Sequence, residues 1–118
     1  MVMRTIIAGS RSCNDYGQVL LAVDGCGWTI SAVVSGAARG VDRLGERWAT
    51  ANGIPIDRHA VTAMQWRENG RRAGYLRNIR MSECADALIA LWDGWSPGTK
   101  HMIDIAVRKG LLTHVHFV

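Results

Sequence analysis

Short, nearly unbroken apolar runs alternate along this chain with longer segments whose apolar residues recur at helical spacing. That alternation narrows the available folds more than any other feature. Thr5-Ile6-Ile7-Ala8 is stopped by Gly9, Ser31-Ala32-Val33-Val34-Ser35 by Gly36, and Ala87 to Trp92 runs into Asp93-Gly94. Ile54 to His59 reads as a third strand in chain order, with Pro55 at its start, where a missing donor is tolerated. Thr113 to Val118 reads as the last. The first, second and fourth runs are continuously apolar, as expected of strands covered on both faces. Asn14 is placed to cap a helix carrying Tyr16, Val19, Leu20 and Val23, and Val41, Leu44, Trp48 and Ala51 mark a second. Ala73 to Ala85 reads as a third helix, with Leu76, Ile79 and Glu83 on successive turns. Lys100 to Lys109 reads as a fourth, with Ile103, Ala106 and Val107 inward. Residues 60–72 show no periodicity and read as a loop.

Strands alternating with helices imply right-handed crossovers and a parallel sheet. The expected fold is α/β: a Rossmann-like three-layer sandwich around a five-stranded, mainly parallel sheet of order 3-2-1-4-5. The 118 residues suit one domain, 1–118. Apolar residues at 48% and charged residues at 20% fit a globular chain rather than a disordered one. No apolar run approaches the ~20 residues of a bilayer span, and the start of the chain does not read as a signal peptide. A cytoplasmic protein with no membrane partner is expected. The three cysteines, Cys13, Cys26 and Cys84, are odd in number and lack metal-type spacing, which fits a reducing compartment and predicts no metal site. His114 and His116 share one strand face, but no third ligand accompanies them. The net charge of +4 suits an anionic partner without choosing between a small ligand and nucleic acid.

In such sheets ligands bind outside the carboxyl ends of the strands. Three strands are followed there by loops of one kind: Gly9-Ser10-Arg11-Ser12, Ser35-Gly36-Ala37-Ala38-Arg39-Gly40, and Asp93 to Lys100. Each is rich in glycine or hydroxyl residues, carries a cation and leads into a helix. Glycine admits a close backbone approach, helix N-termini offer unpaired N–H groups, and arginine offers a planar fork for phosphate. Gly9, Ser10, Arg11, Ser35, Gly36, Arg39, Gly40, Asp42, Asn78, Gly94, Trp95, Ser96, Gly98, Thr99 and Lys100 are therefore the candidate ligand-binding residues. Neither a dinucleotide fingerprint nor a Walker loop is present, and no cofactor is expected. Asp42 either caps backbone donors or holds Arg39, with a ribose contact as the lesser alternative. Lys100 is placed to pair with Asp104 one turn on. Trp95 either stacks on a base or covers the core, and Trp66 carries the same two readings. Trp48 is expected in the core.

Ala8-Gly9-Ser10-Arg11, Val34 to Asp42, Arg77-Asn78-Ile79-Arg80-Met81, Ala85 to Gly94 and Gly98-Thr99-Lys100-His101 together resemble the YspA-type, cpYpsA-related branch of the SLOG superfamily, found in bacteria and phages. The resemblance runs along nearly the whole chain. It implies a nucleotide-binding Rossmann-like domain, and homo-oligomers through a face on which Trp28 or Trp66 would lie. More distantly the chain is similar to the Lonely Guy phosphoribohydrolases, which cleave the N-glycosidic bond of a nucleoside monophosphate. Arg77 resembles their helix arginine and is the one candidate catalytic residue. Their glutamate position is occupied by Met102, which can neither stabilise a developing cation nor activate water. Asp104 and Glu83 are the carboxylates considered in its place. Three functions are carried forward. The first is a sensor or sequestering module for a phosphorylated nucleotide derivative. The second is a nucleoside monophosphate hydrolase, and the third a single-stranded DNA-binding module like the DprA relatives.

Overall fold

The computed structural model describes residues 2–118. In chain order the elements are β1 (Val2–Gly9), α1 (Tyr16–Gly25), β2 (Thr29–Ser35), α2 (Val41–Ala51), β3 (Ile56–Arg58), α3 (Ala63–Asn69), α4 (Arg71–Glu83), β4 (Ala87–Trp92), α5 (Pro97–Arg108) and β5 (Leu112–Phe117). The strands form one sheet of order β3-β2-β1-β4-β5, and every pairing is parallel. The switch point lies between β1 and β4, as the alternation of elements predicts.

Side chains of a strand point alternately to the two faces, so each apolar run feeds two cores. Ile6 and Ala8 of β1 join Val34, Leu88 and Ala90 beneath Met81 of α4 and Met102, Ile105 and Ala106 of α5. Ile7 joins Val33, Ile89 and Leu91 beneath Val19 and Ala22 of α1 and Val41 and Ala49 of α2. The runs of β1, β2 and β4 have no polar side because neither side meets water. Trp48 packs against the second of these cores.

The structure departs from the sequence reading at the helices. Residues 60–72 are not a loop: they contain α3 and the start of α4. Helix α3 has no apolar stripe because none of its residues is buried, and it is fixed instead by a capping box. The Thr62 hydroxyl accepts from the Gln65 amide at 3.1 Å, and the Gln65 side chain accepts from the Thr62 amide at 2.8 Å. Helix α1 is capped by Asp15 rather than Asn14, through a bond from the Gly17 amide, and Leu20 faces solvent while Ala22 is buried. Helix α5 starts at Pro97, a residue suited to a first turn. Its Val107 is outward, with Met102 and Ile105 taking the inner positions. On α4 the difference is largest: Leu76 and Ile79 are exposed, and the buried face carries Ala73, Arg77, Asn78, Met81 and Ser82.

Candidate functional site

Ser10, directly after β1, joins the three carboxyl-end loops. Its amide donates to the Leu91 carbonyl at 3.2 Å, and its own carbonyl accepts from the Val41 amide at the start of α2, also at 3.2 Å. Its hydroxyl lies 2.9 Å from that of Ser12 and 3.5 Å from Asp93 Oδ2, in the loop after β4. Two glycines make this approach feasible. A Cβ on Gly9 would collide with the Leu91 carbonyl oxygen, and Gly40 adopts φ +78° where a Cβ would run into the Ser10 and Arg11 carbonyl oxygens.

The loops surround a cavity of about 870 Å³. From the first come Gly9, Ser10 and Arg11; from the second Ala38, Arg39, Gly40 and Asp42; from the last Asp93, Ser96, Pro97, Gly98 and Thr99. Helices α3 and α4 close it with Trp66, Arg71, Tyr75, Arg77 and Asn78, and Met81 and Met102 form an apolar base. The first turn of α5 lines the space through Pro97, Gly98 and Thr99, and a helix N-terminus so placed favours an anion, whereas the first amide of α2, that of Val41, is already taken by the Ser10 carbonyl.

Arg77 is the buried cation of the site, 8% exposed. Nη1 donates to the Gly36 carbonyl at 2.6 Å and Nε to Asn78 Oδ1 at 3.2 Å, while Nη2 has no acceptor among the described residues. Asn78 in turn donates to the Gly98 carbonyl at 3.2 Å, linking α4 to the start of α5. The polar face of α4 is thus held by backbone carbonyls of two loops, which is how the helix buries an asparagine and most of an arginine with their polar atoms paired.

Two carboxylates share the cavity, and their surroundings pull them apart. Asp42 is 4% exposed, and burial pushes its carboxyl up to about 6 despite the nearby Arg77 guanidinium and a 3.3 Å bond from the Ala38 amide. It pairs with neither Arg39 nor any other residue as a salt bridge within 4.0 Å among the described residues. Asp93 goes the other way. The Ser96 hydroxyl and the Ser96 and Trp95 amides donate to it at 2.7, 2.7 and 2.8 Å, holding its carboxyl down at about 2.

Of the residues singled out in the sequence, Gly9, Ser10, Arg11, Arg39, Gly40, Asp42, Arg77, Asn78, Ser96, Gly98 and Thr99 line the cavity. Ser35, Gly36, Gly94, Trp95 and Lys100 do not. The Ser35 hydroxyl lies beneath the loop, donating to Glu46 at 2.6 Å and accepting from the Ala37 amide. Gly36 contributes its carbonyl to Arg77. Trp95 is 88% exposed and outside the lining, so it does not cover the core. Lys100 is turned along its helix to Asp104 at 2.8 Å, as its spacing predicts. Glu83 and Asp104 are exposed and away from the cavity, so neither replaces the carboxylate that Met102 lacks. Arg71 and Tyr75 escaped the sequence reading, and Asp93 reads there as the start of the third loop without being singled out as a site residue. The signal for Arg71 was faint: an arginine pair just after Gly70, where a helix begins.

Three likenesses bear on this arrangement. Residues 3–66 match the model of the YspA, cpYpsA-related SLOG family. The Gene 61 protein of Mycobacterium phage D29 is 38% identical over 124 residues, covering 92% of this chain and 91% of that protein. The X-ray structure of DNA processing protein A (DprA) from Streptococcus pneumoniae superposes with a TM-score of 0.74 at 18% identity, over 95% of this chain. The chain spans about half of that protein, 49%, so the likeness is one of fold. With the sheet order, the switch-point loops and the extent of the phage match together, the chain belongs to the YspA, cpYpsA-related SLOG family.

Proposed function

We propose that this chain binds a phosphorylated nucleotide or nucleotide derivative in the switch-point cavity, as a sensing or sequestering module. The observation that carries the reading is Arg77: a buried arginine fixed on two sides by Gly36 and Asn78, with one nitrogen free, at a cavity also lined by Arg11, Arg39 and Arg71. A guanidinium so held meets a phosphoryl group without further ordering, which favours affinity. The volume suits a whole nucleotide, being toward the upper end of the ~300–1,000 Å³ typical of ligand sites. Trp66, with the Arg11 guanidinium 5.5 Å from its ring, and Tyr75 supply flat surfaces for a base.

Binding rather than hydrolysis is favoured by the carboxylates. Asp93 is committed to its own loop, and Asp42 is buried against Arg77. Met102 supplies no charge. Calorimetry with a panel of ribonucleoside monophosphates and the matching nucleosides tests the reading, alongside native mass spectrometry for a co-purified small molecule. The expected result is binding at least tenfold tighter for the phosphorylated form, with no free base released. Base release lost in Arg77→Ala would make the chain a hydrolase. Binding only to single-stranded DNA, weakening steeply with salt, would move it to the role that the name of its DNA-processing neighbour suggests.

A further inference from the structure

We infer that Asp57, His59 and Cys84 form a site for a thiophilic divalent cation, zinc foremost, at the β3 edge of the sheet. Asp57 lies on β3 and His59 two residues further on, so both project from the same face. Cys84 is the residue that ends α4, which packs over that face. Their ligand atoms converge. His59 Nε2 is 3.1 Å from Asp57 Oδ2 and 3.5 Å from Cys84 Sγ, and Sγ is 3.8 Å from Oδ2. A tetrahedral zinc with bonds of about 2.0–2.3 Å sets its ligand atoms about 3.3–3.6 Å apart, so the triangle needs only slight adjustment.

The geometry argues against a nucleophilic cysteine. In a nucleophile–base–carboxylate relay the histidine uses opposite ring nitrogens for its two partners. Here one nitrogen, Nε2, faces both the thiol and the carboxylate, which is the arrangement of three donors aimed at one point. The mixed sulfur, nitrogen and oxygen set selects zinc over magnesium or calcium. All three residues are half-buried, with one side open for a water as the fourth ligand. Arg4 supports the site from outside: Nη2 lies 3.0 Å from Asp57 Oδ2, and Nε donates to the Cys84 carbonyl at 2.9 Å. It orients the carboxylate and offsets the negative charge that a thiolate and a carboxylate bring together.

None of the three lines the switch-point cavity, so the inference does not depend on the nucleotide reading. A bound cation would staple the end of α4, the helix carrying Arg77 and Asn78, to a three-residue edge strand. The test uses the full chain, freed of metal by a chelator and titrated with cobalt(II), then zinc(II). The expected result is a thiolate-to-cobalt charge-transfer absorption that saturates at one equivalent and is displaced by zinc, with a raised melting temperature. Cys84→Ser abolishes the absorption, and Asp57→Asn or His59→Gln, each removing a ligand, weakens zinc by at least ~10-fold. The Cys13→Ser, Cys26→Ser double variant keeps it. Should Cys84→Ser fail to fold by circular dichroism, protection of Cys84 from iodoacetamide by zinc is read on the wild-type chain by peptide mass spectrometry. No charge-transfer band, a band that survives in folded Cys84→Ser, or equal alkylation with and without zinc would overturn the site.

Discussion

Replacing Asp42 with asparagine should change the pH dependence of stability in a direction the structure fixes. Asp42 is buried at the start of α2, and desolvation raises its carboxyl from 3.8 to about 6 in the folded chain. At about 1.4 kcal/mol per tenfold change in proton affinity, the ionised side chain costs the fold about 3 kcal/mol relative to the unfolded chain. The sign follows from proton counting. Below about pH 4 the carboxyl is protonated in both states and costs nothing. Between 4 and 6 the folded state keeps a proton that the unfolded state has released, so stability declines as pH rises. Above 6 the full cost is present. Asparagine does not titrate, and its amide oxygen can still accept from Ala38. Urea unfolding followed by tryptophan fluorescence from pH 4 to 7.5 gives the difference between variant and wild type, in which the other acids cancel. That difference should move in favour of Asp42→Asn by about 2–3 kcal/mol across the range, since part of the cost is already present at pH 4. A difference flat to within about 1 kcal/mol, or one moving toward the wild type, would refute the argument that burial outweighs Arg77 at this carboxyl.

Further perturbations separate the parts of the site. Arg77→Met leaves the Gly36 carbonyl without its donor and should cost about 1–3 kcal/mol by urea unfolding, with at least a tenfold loss of nucleotide affinity by calorimetry. Arg11→Ala or Arg39→Ala should each weaken a phosphorylated ligand by about 1.5–3 kcal/mol with little effect on stability; unchanged affinity in both would remove them from the site. Gly9→Ala pushes a methyl group into the Leu91 carbonyl and should destabilise by about 1–3 kcal/mol, read as a lower urea midpoint. Trp95→Ala and Lys100→Ala should leave both stability and small-ligand affinity within about 0.5 kcal/mol, because one side chain is 88% exposed and the other forms a surface pair; a larger loss of affinity would place the ligand outside the cavity described.

How far the sequence reveals this molecule depends on what holds each part. The runs Ile6-Ile7-Ala8, Val33-Val34 and Leu88 to Leu91 are buried on both faces, and burial leaves its trace directly in composition. The parallel sheet follows from that and from crossover handedness, while the order 3-2-1-4-5 is one of the two common doubly wound orders. Helix α3 was hidden because it buries nothing, so periodicity had no stripe to find. Its capping box, Thr62 with Gln65, was nevertheless written in the chain. The cluster at the β3 edge was hidden by distance, since Cys84 stands 25 residues from His59 and only the fold brings them together.

Helix α4 is the informative failure. A helix that serves only the core turns its apolar stripe inward, and Leu76 and Ile79 would be that stripe. The fold instead exposes both and buries Arg77 and Asn78. Water would solvate those groups at no cost to packing, so burying them lowers the intrinsic stability of the pairing unless every polar atom is met. Here Gly36, Gly98 and the Arg77–Asn78 contact meet all of them but Arg77 Nη2, which has no acceptor among the described residues, while every fully enclosed side-chain nitrogen and oxygen there finds a partner. The glycines of the two loops, which alone would suit any tight strand–helix turn, thereby gain a second reason for their positions: the Gly36 carbonyl holds the Arg77 guanidinium, and the Gly98 carbonyl holds the Asn78 amide beside it. Local pattern and tertiary structure disagree where a chain gives up packing for a site. That disagreement, rather than the loops by themselves, is what supports assigning the proposed binding face to α4.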